Sequence, residues 1–152
     1  YYGIARLNPT GSVDTSFTPP TNLGRIRSIV QQPDGKILLG GLWPDGVVRL
    51  NAYGTRDSSF TPPADSNGGV YAIALQADGK VLLGGTFTSF GGEARKRMAR
   101  LNSNGSFDYG FGRKFSNRGM DATILSISPQ ENGKILIAGA FTTVDNFTQK
   151  GI

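Results

Sequence analysis

The stretch GVYAIALQ, Gly69 to Gln76, puts Val70, Ala72 and Ala74 on one side of an extended chain and Tyr71, Ile73 and Leu75 on the other. Both sides are largely apolar, the pattern of a strand packed between two sheets. Ala77-Asp78-Gly79 then breaks the pattern with an Asp-Gly pair suited to turns of positive φ. KVLLGGTF, Lys80 to Phe87, predicts the return strand, with the Lys80 ammonium held in water just past the turn. MARLN, Met98 to Asn102, predicts a third strand. The turn SNGS leads to a short fourth, Ser106 to Phe111. Nothing in the unit carries a helical period.

The pattern recurs. QQPDGKILLGG from Gln31 and PQENGKILIAG from Pro129 match LQADGKVLLGG from Leu75, with turn residues Asp34-Gly35, Asp78-Gly79 and Asn132-Gly133. A second element, R-L-N-x-x-G-[ST]-x-D-x-[SG]-F, begins at Arg6, Arg49 and Arg100, spaced 43 and 51 residues apart. It carries Asp14, Asp57 and Asp108 and ends at Phe17, Phe60 and Phe111. An Asp-Gly-Lys pair seen once could be catalytic; seen three times it is architecture. Four short strands per repeat of this length predict an all-β fold, a β-propeller or partial propeller of about three four-stranded blades. The phase divides the chain into a C-terminal half blade (1–24), two full blades (25–68 and 69–119) and an N-terminal half blade (120–152). A β-solenoid is the competing architecture, but its coils are usually shorter.

Each repeated residue has a structural expectation. The Asp side chains lock corners by accepting backbone amides. The arginines pair with carboxylates or carbonyls where blades meet, and the phenylalanines fill the space between sheets. The small pairs Gly40-Gly41, Gly84-Gly85 and Ala138-Gly139 imply a close approach of another backbone. They are not a phosphate loop, since no helix start and no G-K-[ST] follows. Calcium binding at N-x-x-G-[ST]-x-D lacks the dense acidic set such loops use.

Composition narrows the chemistry. The 152 residues contain no histidine and no cysteine. That removes the commonest general base, any Ser-His-Asp or Cys-His arrangement, thiolate metal sites and disulfides. With 22 glycines and 8 prolines the chain is rich in turns. No apolar run approaches the roughly 18 residues of a membrane span. No leader is visible and the first residue is not Met, so the sequence reads as a mature or excised piece. The net charge of +5 favours an anionic partner, such as an acidic glycan or other anionic surface, without pointing to specific nucleic-acid binding.

The two motifs, RLNxxGSxDxSF and Q-x-DGK followed by apolar residues and GG-x-F, resemble the delta-60 repeats of bacterial proteins over nearly the whole chain. The resemblance implies β-propeller-type repeats, an extracellular or cell-surface setting and no defined activity or cofactor. Departures fall at Leu42-Trp43, Asn132, Ala138 and Tyr109-Gly110.

The expected role is therefore a non-enzymatic binding or structural module. A lectin-like binder of acidic glycans is the alternative, and a propeller hydrolase the third reading. Binding candidates lie where the units differ. The connection after the glycine pair is a tight WPDG turn in the first unit and the longer TSFGGEARKRM in the second. They are Trp43, the only tryptophan, with Tyr53 ten residues on, and Phe90 with the cations Arg95, Lys96 and Arg97. Asn104 and Asn146 begin glycosylation-type triplets. Gly151-Ile152 falls in phase with Gly3-Ile4. Strand edges at the two termini are thus expected to drive self-association, two copies making six blades, or to meet further repeats of a longer chain.

Overall fold

In a computed structural model, residues 3–112 and 119–148 are described. Gly151 and Ile152 lie outside them. The chain is all β. β1 (Arg25–Gln31), β2 (Ile37–Leu42) and β3 (Val47–Leu50) form an antiparallel sheet in that order. β4 (Val70–Leu75) and β5 (Val81–Gly85) are followed by a small hairpin, β6 (Ser89–Phe90) and β7 (Glu93–Ala94), and then by β8 (Met98–Leu101). The second sheet runs β4-β5-β8. β9 (Ile124–Pro129) pairs with β10 (Ile135–Gly139), and a second rim hairpin joins β11 (Thr143–Val144) to β12 (Phe147–Thr148). The sheets pack face to face in chain order: β4 lies against β1 and β2, and β9 against β4 and β5. Among the described residues no strand ladder joins the N-terminal segment to β10.

The first turn of each unit is built identically. Gly35, Gly79 and Gly133 have φ of 83°, 79° and 79°. The Oδ1 atoms of Asp34, Asp78 and Asn132 accept the amides of Lys36, Lys80 and Lys134 at 3.0–3.1 Å. Asn132 replaces Asp without loss because only that oxygen is used.

The glycine pairs divide two tasks. A Cβ on Gly40 would lie 2.8 Å from Val70 and 2.9 Å from Ile73; one on Gly84 would lie 2.6 Å from Ile124 and 2.9 Å from Ile127. The first small residue is thus the hollow that receives two side chains of the next sheet. The second faces its own sheet: a Cβ on Gly41, Gly85 or Gly139 would come within 2.0–2.1 Å of the carbonyl oxygen of Arg25, Gly69 or Thr123. These carbonyls border β-bulges, where the register shifts between Ile26 and Ser28, Val70 and Ala72, and Ala138 and Gly139.

The bulge corrects strict alternation in β4. Val70 joins Ile73 in the core toward the first sheet, while Ala72 and Ala74 face the third. The fourth strand is also corrected. Ser106–Phe111 is no regular strand but a single bridge, Leu101 to Phe107, matched by Leu50 to Arg56 and Leu7 to Val13. The chain turns there because the Asp108 carboxylate captures the Gly110 amide at 3.0 Å.

Candidate functional site

The R-L-N-x-x-G-[ST]-x-D-x-[SG]-F element folds into one repeated strut. In each copy the asparagine amide nitrogen donates to the hydroxyl of Ser12, Thr55 or Ser106 at 2.9–3.0 Å. Gly11, Gly54 and Gly105 close the turn with φ of 86°, 97° and 92°. Arg6 Nε donates to Asp14 at 2.7 Å, Arg49 Nε to Asp57 at 2.8 Å and Arg100 Nε to Asp108 at 2.9 Å. Each guanidinium also lies over the ring of Phe17, Phe60 or Phe111, 4.3–5.0 Å from its centre. Arg6 and Arg49 then reach across to the next unit, their Nη1 atoms donating to the carbonyls of Ala52 and Ser103 at 2.7 Å. Arg100 Nη1 instead donates to Gln76 Oε1.

Lys80 is not simply solvated, as its place beyond the turn suggested. Its ammonium lies 3.0 Å from Asp108, and Lys36 lies 2.9 Å from Asp57. The turn lysine of each blade thus closes onto the aspartate of the same blade. The pair escapes sequence reasoning because its members belong to different motifs, 28 residues apart in the second unit. Two further devices were missed. The Phe-Thr-Pro-Pro run at 17–20 and 60–63 places Thr18 and Thr61, whose amides donate to Tyr53 and Asn104 of the next unit. Asn67 Oδ1 accepts the amides of Thr88 and Ser89, and Asp121 Oδ1 those of Thr142 and Thr143, so one side chain docks each rim hairpin.

The electrostatics follow. Burial alone would raise the Asp57 carboxyl, but the Ser59 hydroxyl, Lys36, the Ser59 amide and Arg49 outweigh it and hold it below the usual carboxylate range. Burial likewise opposes, and Lys80, the Gly110 amide and Arg100 reverse, the shift of Asp108, which ends lowered. For Asp14 the Ser16 hydroxyl and amide and Arg6 lower the pKa. Thr142 and Thr143 bring Asp121 down to about 2. Carboxylates so saturated with donors are poor proton acceptors at neutral pH and have little capacity left for a cation. Among the described residues no three acidic groups converge on one point.

The binding candidates separate. Phe90 is fully buried, edge-on to Phe87. Arg95 is buried with its guanidinium 4.9 Å from the centre of the Phe107 ring. Arg97 takes a φ of 73° and donates to the Thr86 carbonyl. Of the three cations only Lys96 is exposed, so they do not form one basic surface patch.

Trp43 is half-buried and packs beside Phe17, Leu39, Val48 and Leu50. Gly24 and Gly41 make room for its six-membered ring. It walls two open clefts. One, of about 200 Å3, is completed by Asn22, Asp45 and Arg56; the other, of about 360 Å3, by Leu42, Asp65 and Ser66. Arg56 and Asp45 pair at 3.2 Å inside the first. Tyr53 is exposed on the Asn51–Gly54 turn, outside both clefts.

No curated protein gives a significant match to this chain. A β-propeller domain family of unknown function, DUF5122, matches residues 2–17, 32–60, 76–111 and 130–152. The two complete segments each run from the glutamine before the first turn to the phenylalanine of the strut, Gln32 to Phe60 and Gln76 to Phe111. The matched segments cover more than half of the chain, and the protein belongs to the DUF5122 β-propeller family.

Proposed function

We propose that this protein is a non-enzymatic interaction module of an extracellular or cell-surface setting, a propeller segment that assembles with further blades through its two end faces. One observation carries the reading: equivalent positions are sealed between sheets inside the molecule and bare at its ends. Leu38 and Leu82 are 0% exposed, and Leu136, their counterpart in the last unit, is 58% exposed. Ile73 is 7% exposed, and Ile29, its counterpart in the first full blade, is 56% exposed. Bare apolar strands beside unpaired edges favour strand-to-strand association. Sedimentation velocity across a hundredfold concentration range tests this, with assembly into multiples of the 16.2 kDa chain expected. A strictly monomeric species throughout would overturn it.

A second reading, a lectin-like site, is favoured by the Trp43 cleft. An indole wall beside an Asp–Arg pair and an amide offers a stacking surface and hydrogen-bonding groups for sugar hydroxyls, with Arg56 available to an acidic sugar. Trp43 is the only tryptophan, so its fluorescence is a clean reporter. A saturable change with acidic oligosaccharides, lost in Arg56→Ala, is expected. An emission spectrum indifferent to every sugar tested would remove this reading.

A further inference from the structure

The two full blades fix how a third strand joins the second. β2 pairs with β3 as Ile37 with Leu50, Leu38 with Arg49, Leu39 with Val48 and Gly40 with Val47. β5 pairs with β8 as Val81 with Leu101, Leu82 with Arg100, Leu83 with Ala99 and Gly84 with Met98. In the last unit β10 pairs only with β9, so its other edge is unpaired among the described residues. The N-terminal segment carries the third-strand pattern, Ile4-Ala5-Arg6-Leu7, and among the described residues has only the Leu7–Val13 bridge.

We infer that the open edge of β10 is completed by the Ala5–Leu7 segment of a second copy, in the register Ile135 with Leu7, Leu136 with Arg6 and Ile137 with Ala5. This rests on the assembly reading above and assigns its contact.

Three independent features fit the register. The first is charge. Asp57 and Asp108 each hold the turn lysine of their blade, Lys36 and Lys80. Among the described residues Asp14 has its arginine and no lysine, and Lys134 has no ion pair. The incoming strand brings Asp14 of one copy to Lys134 of the other. The second is shape. Val70 and Ile73 fill the hollow at Gly40, and Ile124 and Ile127 that at Gly84. The same phase places Ile26 and Ile29 of the second copy at Ala138, a position that stays small. The third is exposure. Leu50 and Leu101 are 0% exposed, yet Leu7 is 61% exposed, and its chain neighbours Ala5 and Arg6 line a hollow of about 220 Å3 with Ile4, Phe17, Ile29 and Ile37. Leu50 and Leu101 cluster with Phe17 and Phe60 of the unit before them, so Leu7 is placed to meet Phe111 of the other copy. One docking event pairs the strand, neutralises the lysine and covers both bare faces. Applied at both ends it joins two copies into one ring.

The chain lacks cysteine, so engineered thiols report the contact without background. Ala5→Cys and Ile137→Cys chains, prepared separately, are mixed and oxidised. A disulfide needs Cα atoms roughly 4.4–6.8 Å apart, which directly opposed strand residues satisfy. The expected result is a doubling of mass under denaturing, non-reducing conditions. Mixing Ala5→Cys with Leu136→Cys should give no such band, because a one-residue slip turns the side chain to the other face. Sedimentation of the unmodified chain is run in parallel. Assembly without the in-register crosslink, or with equal crosslinking of both mixtures, overturns the register alone. A monomeric unmodified chain overturns the assembly as well and leaves a further repeat of a longer polypeptide as the occupant. An Ala5→Cys/Ile137→Cys double variant that crosslinks at monomer mass overturns the second copy in favour of closure within one chain.

Discussion

The central unit of this protein is a set of four side chains, arginine, aspartate, lysine and phenylalanine, one set in each full blade, with Ser59 added on the aspartate of the first of them. In the middle copy, Arg49 and Asp57 are both buried. Removing one partner of such a pair strands the other. Asp57→Ala is therefore expected to destabilise the fold by about 3 kcal/mol, measured by urea denaturation. Lys80 is a third exposed and contributes one arm of its pair with Asp108, so Lys80→Ala should cost about 1 kcal/mol or less. An equal loss in both variants would contradict the assignment of the arginine as the main strut. The spacing of the motif made its structural role legible, because three equal copies cannot each be a catalytic pair. It did not reveal the lysine's partner, since that contact joins two motifs distant in sequence, nor that the motif's own phenylalanine ring lies beneath its guanidinium, since that depends on how the turn folds the motif back on itself.

At the scale of the element, the two small residues of each return strand are predicted to behave differently. Alanine at Gly84 presses on Ile124 and Ile127, side chains of the neighbouring sheet that can shift, and should cost about 1–3 kcal/mol. Alanine at Gly85 meets the Gly69 carbonyl of its own bulge, which cannot shift without opening the hairpin. The loss there should be larger. In the last unit Ala138→Gly should cost no more than about 1 kcal/mol, the conformational freedom of glycine in a strand. Denaturation midpoints of the three variants check the ranking; Gly84→Ala losing more than Gly85→Ala would refute it. The strands, turns and period were all readable from alternation and from Asp-Gly. The bulge was not, because it needs only one extra residue and leaves the composition of β4 unchanged. The rim hairpins were read as a long loop for a related reason. Gly91-Gly92 and Asp145-Asn146 supply the paired positive φ values of a two-residue turn, but the strands they join are two residues long, too short for a pattern.

For the whole molecule, the carboxylates set the response to acid. The carboxyls of Asp57, Asp108 and Asp121 lie below the ordinary 3.8 when folded. Their charged forms therefore stabilise the fold fully above that value, and this contribution disappears as pH falls through the folded value. For Asp121 the window is from 3.8 to about 2. With no histidine to titrate, the melting temperature should stay level from neutral pH to about 5 and then fall. A midpoint that drops between pH 7 and 6, or holds level to pH 2.5, would contradict this. The repeat made the stacking of units legible in advance, whereas the placement of Trp43 between two clefts depends on Gly24, which no motif marks, and on Gly41, whose place in the repeated pair gives no sign of an indole. The docking of each rim hairpin by one side chain, Asn67 or Asp121, carries a last consequence. The first full blade has Leu23 at that position and a short turn in place of the hairpin. In the second full blade the rim is thus joined to the core by one polar clasp, Asn67, and one apolar plug, Phe90. A graft of the β6–β7 hairpin between β2 and β3, together with Leu23→Asn, gives the first blade a new outer face while its inner strands keep their neighbours.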